Sequence, residues 1–171
     1  RKPGEEFGVR QKLSVGNYDY FRSETSVDTG MYSGFAANLS YTHWNREGWL
    51  DNSEADNKLG ETEGSDAARF ALRWKPNDAF TADYVFDYSD RDSNGAIVQL
   101  VHIRPFQAGL GGPIYAQAIE EASPSRNSSL PMPFSDGASN WSTIKGHALT
   151  VEWASDSFTL KSITAHRDWD S

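Results

Sequence analysis

Phe80-Thr-Ala-Asp-Tyr-Val-Phe-Asp-Tyr-Ser-Asp90 alternates without interruption, and that alternation sets the fold class. Phe80, Ala82, Tyr84, Phe86 and Tyr88 fall on one side of an extended chain, and Thr81, Asp83, Val85, Asp87 and Ser89 on the other. Successive side chains of a strand point to opposite faces, so this period of two predicts a strand with one apolar and one polar face. The stretch before it repeats the pattern, with Phe70, Leu72 and Trp74 against Arg69, Ala71 and Arg73. Lys75-Pro76-Asn77-Asp78 supplies turn chemistry between the two, so they read as a hairpin.

Working outward, Phe35, Ala37, Leu39 and Tyr41 oppose Asn38, Ser40 and Thr42, while Leu149, Val151 and Trp153 oppose Ala148, Thr150 and Glu152. Near the start, Phe7, Val9, Leu13 and Val15 face away from Arg10, Lys12 and Ser14. Two further strands, over residues 18–28 and 158–169, follow from β-branched and aromatic content with their facing left open. The total is about seven strands. Tight reversals are expected near Gly16-Asn17, Thr29-Gly30, Pro76-Asn77 and Ser155-Asp156-Ser157, with a polar loop over residues 51–66 and a long insertion over residues 91–142. Short turns at one end and mostly longer loops at the other are the asymmetry of outer-membrane barrels, and such long loops are unusual in compact soluble domains. Trp74 and Phe80 bracket one short turn and Trp153 and Phe158 another, as an aromatic girdle at the headgroup level would require. Alternating segments of about ten residues also suit a tilted spanning strand better than the five or six of an average soluble strand.

Composition narrows the classes. Hydrophobic residues make up 37% and aromatics 13%, a balance that suits a wall apolar on one face only. The formal charge of -8 opposes a nucleic-acid partner, which would need clustered Lys and Arg. With no cysteine, thiol catalysis, zinc-thiolate sites and disulfides are excluded. No run approaches the roughly 18 apolar residues of a spanning helix, and no signal peptide opens the chain at Arg1, so the start of an exported protein would lie upstream.

Several stretches carry a family likeness. Pro3-Gly-Glu-Glu-Phe-Gly8 followed by Ser14-Val-Gly-Asn-Tyr18 resembles the segment after the plug domain of TonB-dependent receptors. Arg69-Phe-Ala-Leu-Arg-Trp-Lys-Pro-Asn-Asp78 is similar to that family's frequent R-W-x-P-N-D hairpin turn, and Leu160-Lys-Ser-Ile-Thr-Ala-His-Arg167 to its S-I-T-A-Y-R strand, with His166 where Tyr is more usual. The resemblance implies an antiparallel transmembrane β-barrel of about 22 strands, plugged by an N-terminal domain, in the outer membrane of a Gram-negative bacterium. It further implies uptake of a ferric siderophore or similar scarce nutrient, energised by the TonB system acting on the plug. About seven strands would be a fragment of such a barrel, without its plug, because bacterial single-chain barrels close on even numbers.

On this expectation Phe70, Leu72, Trp74, Phe80, Tyr84, Phe86, Tyr88, Leu149, Val151 and Trp153 face lipid, and Arg69, Arg73, Asp83 and Asp87 face a wet lumen, where Arg73 is a candidate partner for Asp87. Asp83 and Asp87 stand about 13 Å apart along a strand, too far for an acid and base pair. His43, His102, His147 and His166 show no ligand spacing, and no serine sits in a nucleophile elbow, so no enzymatic function is expected and no cofactor is called for. Asp90, Asp92 and Asn94 before Gly95 repeat the first half of a calcium loop, but Val101 stands where the bidentate Glu belongs, leaving a weak oxygen-ligand site or simple turn residues. Asp51, Glu54, Asp56, Glu61, Glu63 and Asp66 against Lys58 make residues 51–66 acidic, a solvated loop or one bridged by divalent ions to lipid phosphates. In the long insertion, Pro113 opens a candidate short helix and Gly109-Leu-Gly-Gly112 lacks the Lys of a phosphate loop. His102, Arg104, Phe106 and Tyr115 offer cationic and aromatic contacts to an anionic or aromatic ligand, or an apolar cluster folding the loop on itself. A passive porin-like barrel and a soluble β-sandwich binding module are the alternatives to the transporter.

Overall fold

The computed structural model describes residues 2–52, 58–60, 62–94, 129–130 and 139–171, and among these the protein is all-β. In chain order the strands are β1 (Phe7–Gly16), β2 (Tyr20–Thr29), β3 (Phe35–Arg46), β4 (Leu50–Asn52), β5 (Lys58–Leu59), β6 (Thr62–Asn77), β7 (Phe80–Asn94), β8 (Ser129–Leu130), β9 (Ser139–Ala154) and β10 (Thr159–Asp170). Seven of them form one sheet in the order β1-β2-β3-β6-β7-β9-β10, every pairing antiparallel. The short β5, β4 and β8 form a second, small sheet in which β8 runs parallel to β4. The large sheet is open: β1 pairs only with β2 and β10 only with β9 among the described residues.

The expected hairpin at residues 70–88 forms in register, with Phe70 opposite Phe86, Leu72 opposite Tyr84 and Arg73 opposite Asp83. Its ladder slips between Trp74 and Asn77, where Pro76 has no N–H to give. The connection from β2 to β3 needs left-handed backbone at Ser33 (φ 48°) and Gly34 (φ 81°). A Cβ on Gly34 would also stand 2.7 Å from the Lys75 carbonyl oxygen, the neighbouring turn's backbone, so only glycine fits there.

Two of the expected loops shrink. Residues 62–66 already belong to β6, and residues 91–94 and 139–142 extend β7 and β9, giving strands of 15 and 16 residues. The alternation ends near Asp90 because the face that carries Phe80 to Tyr88 turns polar there, whereas the ladder continues through backbone bonding, Asp92 opposite Trp141 and Asn94 opposite Ser139. The polar stretch also contributes β4 and β5, too short for any periodicity to announce. β1, β3 and β7 end, and β2, β6 and β9 begin, at one end of the large sheet, while the connections at residues 30–34, 78–79 and 155–158 lie at the other.

Register carries one apolar face across the sheet. A single row runs Val9, Val27, Leu39, Phe70, Phe86, His147 and His166, and the next toward the short turns holds Ala37, Leu72, Tyr84 and Leu149. All ten residues from Phe70 to Trp153 singled out for the outer face share this side, and Arg69, Arg73, Asp83 and Asp87 share the other. The facing of β2 and β10 is now defined: Phe21 and Val27 join the apolar face, while Ile163 and Trp169 join the polar one. Burial is inverted relative to a soluble domain. Phe7, Val15, Leu39 and Trp153 are exposed, whereas Asp28, Asn38 and Ser65 on the polar face are buried. Among the described residues the buried hydrophobic side chains are only Ala36, Leu50, Leu59 and Ala71, and no second sheet covers the apolar face.

Candidate functional site: the polar face

Long strands with alternate polar residues place charges from distant parts of the chain in rows. Arg73 on β6 and Asp83 on β7 are register partners, and the guanidinium grips the carboxylate by two bonds, Nε–Oδ1 at 2.7 Å and Nη2–Oδ2 at 2.8 Å. Both side chains are mostly covered, 20% and 15% exposed, which makes this the best-shielded ion pair on the face. The Lys2 ammonium reaches the same carboxylate at 3.4 Å. Lys2 belongs to a strap preceding β1 that is tied to the face by the Gly4 N–H donating to Asp28 Oδ1 and the Met31 N–H donating to the Glu5 carbonyl. Strap and sheet enclose an open cleft of about 260 Å³ lined by Lys2, Arg73, Lys75, Asp83, Glu152 and Lys161.

Asp87 does not pair with Arg73, which Asp83 already occupies. Instead its Oδ2 lies 3.4 Å from the Arg167 guanidinium two strands away. The intervening residue is Gly146, where a Cβ would stand within 3.0 Å of the carboxylate carbon, so the missing side chain opens the crossing. Arg69, directly opposite Asp87, makes no ion pair among the described residues. Nearer the short turns, the buried Asn38 donates to Ser26 Oγ at 3.0 Å and to Asp28 Oδ1 at 3.0 Å and accepts from Ser40 Oγ at 2.9 Å, so both ends of its amide are partnered.

Toward the longer connections the same face becomes cationic and aromatic. Arg91 sits over the Trp44 ring at 6.0 Å, and Tyr20 packs on that ring at 6.3 Å. Trp44, Tyr20 and Arg91 were not singled out from the sequence. Their parity on β2, β3 and β7 carried the signal, but the facing of β2 was open and β7 was ended too early. At that end, Glu47 and Lys58 bond at 3.1 Å, and the carboxylate raises the lysine pKa above its ordinary value.

The candidate ligand contacts His102, Arg104, Phe106 and Tyr115, and the helix expected from Pro113, lie outside the described residues, as do Glu54, Asp56 and Glu61. Asp90, Asp92 and Asn94 lie in the straight extension of β7, not in a loop that doubles back. Asp90 accepts a hydrogen bond from Thr143, and an extended strand sets alternate residues about 6.6 Å apart, unlike the closed turn of a calcium loop. Among the described residues no group of three or more His, Asp or Glu is gathered for a metal. His147 and His166 are register partners on β9 and β10, and the His147 ring leans toward β7, with its centroid 4.9 Å from that of Phe86.

Comparison with protein families, with curated proteins and with solved structures finds no match to the chain.

Proposed function

We propose that these strands are part of the wall of an outer-membrane β-barrel transporter that takes up a ferric siderophore or comparable scarce ligand with energy from TonB. The observation that carries this proposal is the slant of the apolar band. Its lower aromatic edge passes through Phe7 on β1, Phe35 and Trp74 on β3 and β6, and Phe80 and Trp153 on β7 and β9. The row holding Phe7 leads to Tyr84 and Leu149, which lie four residues from Phe80 and Trp153, so the edge drops four residues, about 13 Å at ~3.3 Å each, between β1 and β9. Five strand steps separate β1 from β9, about 24 Å at ~4.8 Å each. The band therefore runs at roughly 30° to the rows, near the 35–45° tilt of strands in a membrane barrel. The upper edge falls in the same direction, from Val15 on β1 through Tyr41 on β3 and Tyr88 on β7 to Leu149 on β9.

A sandwich core would have no reason to cut its strands on the slant, whereas a bilayer imposes a level boundary on tilted ones. Along β7 the band from Phe80 to Tyr88 is about 26 Å, which covers about 20 Å of membrane depth at such a tilt. The strap on the polar face and the Arg91, Trp44 and Tyr20 group at the longer-loop end suit a lumen that holds other protein near one mouth and an anionic, aromatic ligand near the other. In the full-length protein, deleting residues 96–140 is expected to abolish binding and uptake of the ferric ligand while the barrel still migrates as a heat-modifiable folded species. Unchanged uptake with that deletion would contradict the assignment of the insertion to ligand capture.

A further inference from the structure

His147 on β9 and His166 on β10 are direct register partners, and both project from the apolar face of the sheet. Directly opposed residues of an antiparallel pair carry their Cβ atoms about 4.5–5.5 Å apart, close enough for two imidazoles to close on one cation at metal–nitrogen distances near 2.0–2.1 Å. Each ring has one nitrogen already engaged. His147 Nδ1 is 2.8 Å from the Tyr84 hydroxyl, and His166 Nε2 is 3.1 Å from Asp168 Oδ1. His147 Nε2 and His166 Nδ1 have no protein partner among the described residues. An imidazole whose outer nitrogen is held by a carboxylate or hydroxyl, with the other free, is the arrangement metal-bound histidines adopt. The pair is also accessible: the His166 side chain is 71% exposed, and on β9 the band ends at Leu149, one row below.

We propose that His147 and His166 form a binding site for a divalent transition cation that prefers imidazole, such as Cu2+, Ni2+ or Zn2+, with Tyr84 and Asp168 orienting the rings and water completing the coordination. Two nitrogen donors without a converging set of carboxylates disfavour Mg2+ and Ca2+. Bound there, the cation staples β10, an edge strand among the described residues, to β9. The site rests on the β9–β10 register and on the Tyr84 and Asp168 contacts to the two rings, and does not depend on the transporter assignment.

The test is titration of the full-length protein, in whichever medium keeps it folded, with Cu2+ followed by electron paramagnetic resonance, and with Zn2+ in competition. One equivalent is expected to bind with the spectrum of two nitrogen ligands. His147→Asn and His166→Asn are each expected to weaken binding at least about tenfold, and Asp168→Asn about tenfold with the two-nitrogen signature kept. His43→Asn is expected to change nothing. Undiminished affinity in the His147→Asn/His166→Asn double variant, or a one-nitrogen spectrum in the unaltered chain, would overturn the site. Imidazole nitrogen resonances of the unaltered chain give a measure that needs no variant. Zn2+ is expected to shift His147 and His166 together, and a shift confined to other histidines would also overturn it.

Discussion

Asp83 and Asp87 look equivalent as residues, four apart on the same face of β7, yet they hold different partners for reasons of neighbour size and register. Asp83 meets Arg73 squarely across the strand pair, while Asp87 passes over Gly146 to Arg167. A double-mutant cycle on Arg73→Gln and Asp83→Asn, by urea titration in lipid, should return a coupling of about 1–3 kcal/mol, as expected for a shielded bidentate pair. The same cycle on Asp87 and Arg167, whose side chains are 40% and 67% exposed, should return less than about 1 kcal/mol after solvent screening. Equal couplings would mean that the two carboxylates share one environment. Charge reversal separates the two faces more sharply. Phe86→Arg puts a cation on the apolar face and should cost roughly 2–4 kcal/mol if that position lies near the bilayer midplane. Asp87→Arg should cost far less, because it loses only a partly exposed pair and leaves its arginine on the polar face. Refolding yield and urea midpoint in lipid vesicles measure both, and a larger loss for Asp87→Arg would reverse the assigned facing.

Elements were legible in the sequence wherever parity was clean and obscure wherever it broke. β6 and β7 announce themselves through uninterrupted alternation, and their register follows from the Pro76-Asn77 turn between them. β2 hides because Ser23, Thr25 and Thr29 share its apolar side, so only the pairing of Val27 with Leu39 and Val9 fixes its facing. The ends of β7 and β9 hide because backbone pairing outlasts the apolar band, and Asp90 and Asp92 therefore read as loop residues. The His147 and His166 pair was legible in principle, since both lie equally far from the middle of the turn at residues 155–158, but linear spacing cannot report a contact across a hairpin. Turn chemistry was read at Gly30 and missed at Gly34, although the second glycine is the more constrained. Gly34→Ala should destabilise the protein by about 1–3 kcal/mol, since it forces a positive φ and presses a methyl against the Lys75 carbonyl. Gly8→Ala, at a position with open space around it, is the control and should be nearly silent in the same urea titration. Equal effects would remove the special role of the β2–β3 turn.

At the scale of the whole molecule, the decisive question is what touches the apolar face. Large side chains such as Val15 at 81% and Phe7 at 73% exposure, together with the edges of β1 and β10, are left uncovered among the described residues. Expressed alone in buffer, the chain should aggregate or require detergent, and a monodisperse monomer with cooperative unfolding in buffer would count against a membrane wall. The most direct measurement places spin labels singly at positions 83, 84, 86 and 87 of the protein folded in lipid vesicles and compares collision with oxygen, which concentrates in hydrocarbon, and with a water-soluble nickel chelate. Labels at 84 and 86 should respond to oxygen and ignore the chelate, and those at 83 and 87 should respond to the chelate. Chelate collisions at 84 and 86, or protection of those two positions from both reagents, would contradict the assignment of this face to lipid.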